Sequence, residues 1–144
     1  MKKKTILLTG ASRGIGKAIY RKLKNSYNIL APTREELDLS DNVSIDAFIG
    51  KNKNAGIDII INNAGINFPQ WIETISDENI NNNFQINLIA PIRLIRGFVG
   101  NMKKNKKRRI INISSAFGIV ARGKQTLYSA SKHGINGVTK ALAL

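Results

Sequence analysis

Tyr128 and Lys132 stand four residues apart in the stretch LYSASKHG (127–134), with small residues between them. Four residues is about one helical turn, so on a helix the phenol and the ammonium share a face. A phenol beside an ammonium is a candidate reactive pair. The same spacing also describes an ordinary amphipathic helix, and only the rest of the chain separates the two.

A second candidate lies near the start, in TGASRGIG (9–16), which follows an apolar run and opens a helical pattern. Gly10 permits a tight turn, Gly14 lets the backbone approach a pyrophosphate, and Gly16 lets the helix pack closely on a sheet. The helix beyond offers free N–H groups and a positive dipole end to phosphate. The spacing is G-x-x-x-G-x-G rather than the commoner G-x-G-x-x-G. After the next apolar run the chain reads APTR (31–34). An acid at such a corner suits the ribose of NAD, whereas an arginine suits a 2′-phosphate. Thr33, Arg34 and Arg13 point to NADP; Glu35 and Glu36 tell against it, and both arginines also fit a plain solvated surface.

Asn87 falls inside a long helical pattern, where asparagine has no propensity to be. Pro91 follows four residues later. Proline has no N–H, so the carbonyl of Asn87 is left without its helical donor. That carbonyl is free for another role, unless Pro91 marks only a kink.

The elements that must hold these residues alternate. KTILLTG (4–10), YNILAPT (27–33) and IDIIINNAG (57–65) read as strands, as does RRIINISS (108–115), with a very short extended piece in EELDLSD (35–41). Helical patterns occupy 14–26, 42–53 with Asp41 as N-cap, about 76–104, and about 124–144. Strand–helix alternation predicts an α/β fold: a doubly wound parallel sheet, Rossmann-like, with sites at the carboxyl ends of the strands.

The chain has 144 residues, enough for one domain, and 42% hydrophobic residues, which excludes disorder. It has no cysteine and one histidine, His133, so disulfides, thiolate chemistry and a metal site are not expected. Ile6–Leu8 is too short for a signal peptide, and no apolar run approaches a membrane span. A cytoplasmic location is the default expectation. The formal charge is +14, and residues 79–144 hold twelve Lys/Arg and no acid. The run KKNKKRR (103–109) is a candidate polyanion surface, but no aromatic residues interleave it, which favours a solvated helix end over nucleic acid.

TGASRGIG, NNAG (62–65), Asn87, ISS (113–115) and YSASK (128–132), with Tyr128 thirteen residues after Ser115, together resemble the short-chain dehydrogenase/reductase family, and within it the NADP-dependent 3-oxoacyl-reductase-like branch. The resemblance covers residues 4–144. It implies an oxidoreductase moving hydride between a nicotinamide and a carbonyl or secondary alcohol. In that reading Tyr128 is the general acid/base. A free phenol has a pKa of about 10, and a neighbouring cation favours the phenolate. Lys132 supplies that cation and holds the nicotinamide ribose. Ser115 bonds the reacting oxygen; its neighbour Ser114 would face the other way on a strand. The carbonyl of Asn87 holds a water leading to Lys132. Ser12, Arg13 and Ile15 join Gly10, Gly14 and Gly16 on the phosphate side. Asn62, Ala64 and Gly65 pass the adenosine half, and Asp38 and Leu39 match the adenine side.

Two departures accompany the resemblance. Thr33–Leu37 leaves no room for the helix that most members carry there, which opens the adenine pocket. The chain also stops within the helix bearing Tyr128 and Lys132, where members continue into another strand and a loop covering the substrate. A fragment with little turnover of its own is therefore expected, and a nucleotide-binding remnant is the alternative function. The full-length form is expected to pair as a homodimer or homotetramer through its two long helices.

Overall fold

The computed structural model describes residues 3–103 and 109–144. Four short strands form one parallel sheet: β1 (Thr5–Leu8), β2 (Asn28–Leu30), β3 (Ile57–Asn62) and β4 (Arg109–Asn112), in the order β2-β1-β3-β4. β1 pairs with β3 through Ile6↔Ile59 and Leu8↔Ile61, and β3 with β4 through Ile60↔Ile110 and Asn62↔Asn112. The order places the carboxyl ends of β1 and β3 side by side. Strands buried on both faces must be apolar throughout, which TILL and the isoleucines of β3 satisfy.

The helices are α1 (Gly14–Leu23), α2 (Asn42–Asn52), α3 (Asp77–Phe84), α4 (Ala90–Lys103) and α5 (Thr126–Leu142). One sheet face, presenting Leu7, Ile57 and Ile60, packs against Ile45 and Phe48 of α2 and Leu94, Phe98 and Met102 of α4. The other face, presenting Ile6, Leu8 and Ile61, is covered by Ile19 and Leu23 of α1. Asp41 caps α2 by accepting from the N–H groups of Val43 and Ser44, as its position predicts.

The stretch expected as one long helix is continuous from Asp77 to Lys103, but its centre, Gln85–Ile89, is a π turn in which the Ala90 N–H reaches back to the Gln85 carbonyl. The wide turn lies immediately before Pro91, which cannot donate to Asn87.

The extended piece expected at 35–41 is not a strand. The Leu37 N–H closes onto the Thr33 carbonyl at 3.0 Å, and the Asp38 carboxylate accepts from the backbone and hydroxyl of Ser40. Acids and serine offering local acceptors turn the chain instead of extending it. Among the described residues the sheet therefore has four strands rather than five extended segments, and NNAG follows the third. β2 is also shorter than YNILAPT, since Pro32 has no N–H for a ladder. The basic run's residues 104–108 lie outside the described residues.

Candidate active site

The turn after β1 is shaped by close approach. Gly10 has φ +67°, and a Cβ on it would lie 2.8 Å from the Cα of Ala64. A Cβ on Gly16 would lie 2.1 Å from the Gly10 carbonyl oxygen, so only glycine lets α1 sit this tightly on the turn. Neighbouring groups lock the same junction. The Thr9 hydroxyl accepts from the N–H groups of Asn63 and Ala64, both at 3.1 Å, and the Asn63 amide donates to the carbonyls of Thr9 and Gly10, both at 3.0 Å.

In front of this junction runs a groove of about 920 Å³. Gly10, Ser12, Arg13 and Ile15 line one side, Ala64, Gly65 and Ile66 the floor beyond β3, and Thr33, Arg34, Glu35, Asp38 and Leu39 the far corner. A Cβ built on Gly14 would meet nothing within 4 Å, so the start of α1 opens onto free space. Guanidiniums, helix N–H groups and an open approach suit a phosphate-bearing ligand. At the corner, Arg34 Nε donates to Asp38 at 3.2 Å, and the Thr33 N–H donates to Glu36 at 2.9 Å. Ser40, through its hydroxyl and then its N–H, and next Arg34, hold the Asp38 carboxyl below its usual range.

The second cluster sits where α5 meets the π turn. Lys132 is 4% exposed; its Nζ donates to the Ile113 carbonyl at 2.8 Å and lies 5.5 Å from the centre of the Tyr128 ring. Burial pushes its ammonium below the usual lysine range. Asn87 is also buried. Its side-chain oxygen accepts from the Ile66 N–H at 2.9 Å, and its amide donates to the Ile66 carbonyl at 2.9 Å and to Ser131 Oγ at 3.2 Å. Ser131 Oγ in turn donates to the Tyr128 carbonyl at 2.8 Å. The Asn87 side chain thus ties the segment after NNAG to the helix of Tyr128 and Lys132.

Ser115 begins a 3-10 turn and accepts from the Phe117 N–H at 3.2 Å, while Ser114 faces α5 and donates to the Lys132 carbonyl at 3.4 Å. The two serines therefore diverge as strand alternation predicts. Ser129 and Asn136 of α5 donate to the carbonyls of Phe117 and Gly118, fixing the Ser115 turn against that helix.

Gly65 joins the two clusters. It lines the groove, and a Cβ on it would stand 3.2 Å from Asn87 Oδ1 and 3.7 Å from Lys132 Nζ. Gly65 thus stands between the groove and the buried Lys132 ammonium.

Asn62 lies at the edge of the sheet side of this junction. Its side chain does not line the groove; it is 4% exposed and donates to Asn112 Oδ1 at 2.8 Å, across to β4. It is the last residue of β3, and pairing with β4 turns it into the sheet. Its neighbour Asn63 lines the groove instead. Gly14 and Gly16 shape the groove without being part of its wall. Asn63 and Ser131 both escaped the sequence reading, although each sits inside a quoted motif, NNAG and YSASK.

The family model for short chain dehydrogenases matches residues 33–144. The chain belongs to the short-chain dehydrogenase/reductase family. It is 36% identical to D-beta-hydroxybutyrate dehydrogenase from Rhizobium meliloti, covering 98% of this chain and 65% of that protein. It is 34% identical to 3-oxoacyl-[acyl-carrier-protein] reductase FabG from Haemophilus influenzae, covering 99% and 68%. Among solved structures, a metagenomic short-chain oxidoreductase in complex with NADP superposes with a TM-score of 0.86 at 30% identity, covering 97% of this chain and 74% of that one. A 4-hydroxyisoleucine dehydrogenase complexed with NADH gives 0.91 at 30%, covering 98% and 68%. The chain thus spans about two thirds of the length of the curated relatives it matches, 65% of the first.

Proposed function

We propose that the chain is the nucleotide-binding and catalytic portion of an NADP-dependent oxidoreductase acting on a carbonyl or secondary alcohol. The observation that carries this reading is the continuity at Gly65 between the phosphate-suited groove and the buried Asn87 and Lys132, with the half-buried Tyr128 ring beside the lysine. Arg13 and Gly10–Gly16 would hold the pyrophosphate, and Arg34 with Thr33 the 2′-phosphate. Bound there, a nicotinamide dinucleotide supplies or accepts hydride.

The protein's own part is proton handling and orientation. Tyr128 delivers a proton to the oxygen that gains charge, or removes it in the reverse direction, and the Lys132 ammonium favours the phenolate this leaves. Ser115 donates to the same oxygen. The Asn87 side chain fixes the backbone at Ile66, and its carbonyl, without a donor from Pro91, is available to a water serving Lys132. The substrate is a small carbonyl or alcohol, the setting a cytoplasmic one, and the whole protein a homodimer or homotetramer through the helical stretches 77–103 and 126–142.

Binding of NADPH followed by its oxidation in the presence of a ketone panel tests the reading. Ketone-dependent oxidation supports it. A chain that binds neither NADPH nor NADH refutes it. The second reading is nucleotide binding without turnover. It predicts tight NADPH and no oxidation with any ketone.

A further inference from the structure

Two irregular segments meet at the start of α5. The first, 66–71, follows NNAG and ends at a 3-10 turn, Ile72–Thr74. It is anchored at Ile66, whose N–H and C=O are both held by Asn87, and beyond it Ser76 caps α3. The second, 119–125, links the Ser115 turn to α5. The Gln70 N–H donates to the Lys124 carbonyl at 3.0 Å, and the Lys124 ammonium lies 4.9 Å from the centre of the Trp71 ring. Lys124 stands four residues before Tyr128. The bridged segment therefore runs from the Asn87 end of the site to the beginning of the tyrosine's helix. Among the described residues Lys124 is also the one non-glycine with a positive φ, +64°. A left-handed backbone is costly for a residue with a Cβ. The next residue adds a second cost: Gln125 is 8% exposed, and its side-chain oxygen has no hydrogen-bond partner among the described residues.

We propose that residues 67–71 form a strap over the substrate side of the site, latched by Lys124 through its carbonyl on Gln70 and its ammonium on Trp71, and built to be released. What the strap covers rests on the reading of Tyr128 and Lys132 as the reacting pair; its opening and closing do not.

The forces on the latch oppose each other. An exposed cation–π contact favours the closed form about two- to fivefold, and the Gln70–Lys124 hydrogen bond favours it about two- to tenfold. A lysine held at positive φ opposes closure about fivefold or more, and a buried unpartnered amide oxygen opposes it by a similar factor. The two sides nearly cancel, so a small change at Lys124 shifts the balance between the forms. The ends of the strap stay in place as its middle moves, because Asn87 holds Ile66 and Ser76 caps α3. The Gln70 side chain, which accepts from Asn79 at 2.7 Å, is the pivot.

Trp71 is the only tryptophan in the chain and is 55% exposed, so its fluorescence reports the strap directly. The test measures acrylamide quenching of Trp71 and amide exchange at Gln70 in the whole chain. Lys124→Ala removes the cation and keeps the backbone strain. It should raise quenching about 1.5-fold and Gln70 exchange about threefold. Lys124→Arg keeps the cation and should match the wild type on both. Lys124→Gly removes cation and strain together, so Trp71 should quench as in the alanine variant while Gln70 exchanges at about the wild-type rate. Folded Lys124→Ala with quenching and exchange unchanged would overturn the inference. Should that variant fail to fold, Trp71→Ala decides: Gln70 exchange raised about threefold supports the latch, and unchanged exchange overturns it. The ketone KM should rise about threefold in Lys124→Ala, with NADPH affinity unchanged and rescue by Lys124→Arg. A KM that does not move would overturn the placement of the strap over the substrate. Absence of turnover in the wild type would instead count against the catalytic reading, and fluorescence and exchange would still decide the strap.

Discussion

The Lys132 ammonium lies 5.5 Å from the centre of the Tyr128 ring while donating a 2.8 Å hydrogen bond to the Ile113 carbonyl. Position 132 is thus set by two elements at once, the helix that carries the tyrosine and the end of the strand segment that leads to Ser115. A side chain that is 4% exposed, with no carboxylate partner among the described residues, is a cost to the fold. Burial lowers its pKa, so between that lowered value and the ordinary lysine range the folded chain binds fewer protons than the unfolded one. Stability contributed at this site therefore rises with pH through that window. Lys132→Met should raise the melting temperature by about 3 °C at neutral pH. The gap to the wild type should narrow in alkaline buffer. Melting curves at two pH values check it, and a variant that melts lower at neutral pH would show that the bond to Ile113 outweighs the burial cost.

Asn87 makes a second test of the same region. Its side chain satisfies both the N–H and the C=O of Ile66. Asn87→Ala leaves both without that partner in a part-buried setting, which should cost about 2 kcal/mol in urea unfolding. Asn87→Asp keeps the acceptor for the N–H and loses the donor, so it should fall between wild type and alanine. Equal stability of all three would mean that water replaces the side chain freely.

How far these residues were readable in advance follows from the range of their contacts. The Asp41 cap and the pairing of Tyr128 with Lys132 depend on partners within a few residues, and the sequence pattern found both. Pro91 flagged the unsupported Asn87 carbonyl, though not the π turn that precedes it. The role of Ser131 depends on a bond across 44 residues, and that of Asn63 on bonds to Thr9 and Gly10 across 54 and 53. Such contacts leave no periodic mark. The same limit explains Asn62. Which of two adjacent asparagines lines the groove is decided by where β3 ends. At 35–41, local acceptors on Asp38 and Glu36 overrode an extended pattern too short to resist them.

Gly16 bears on the fold and on binding together. A Cβ there would overlap the Gly10 carbonyl oxygen, 2.1 Å away, and backbone cannot swing aside as a side-chain end can. Gly16→Ala should destabilise the chain by about 2–4 kcal/mol. It should also weaken both NADPH and NADH at least tenfold, because α1 must lift from the turn that presents its N–H groups. Gly50→Ala, in the last turn of α2 with nothing within 4 Å of the new Cβ, is the control and should be neutral or stabilising. Normal nucleotide binding by Gly16→Ala would separate the turn from the ligand.

Arg34 is the cation at the ribose corner, and its terminal nitrogens remain available beyond the Asp38 bond. Arg34→Ala should weaken NADPH about fivefold or more and leave NADH within about twofold, erasing most of any preference. Fluorescence titration of both cofactors measures it. Equal loss for the two would place Arg34 away from the 2′-position.

Tyr128→Phe removes one hydroxyl and keeps the ring, including its edge-to-face contact with Phe117 at 6.4 Å between centroids. The melting temperature and NADPH affinity should therefore stay close to wild type. Proton transfer is another matter. Phenylalanine has no proton to give, and a positioned acid or base is worth about 10²–10⁴-fold. Whatever ketone-dependent NADPH oxidation the chain supports should fall by that factor. Turnover also needs the nicotinamide and carbonyl held in near-attack geometry with water excluded. The assay accordingly compares single-turnover NADPH oxidation at saturating ketone in wild type and variant, with NADPH binding measured in parallel. Equal oxidation by the two would remove Tyr128 from the reaction, whereas intact binding with oxidation lost assigns it the proton.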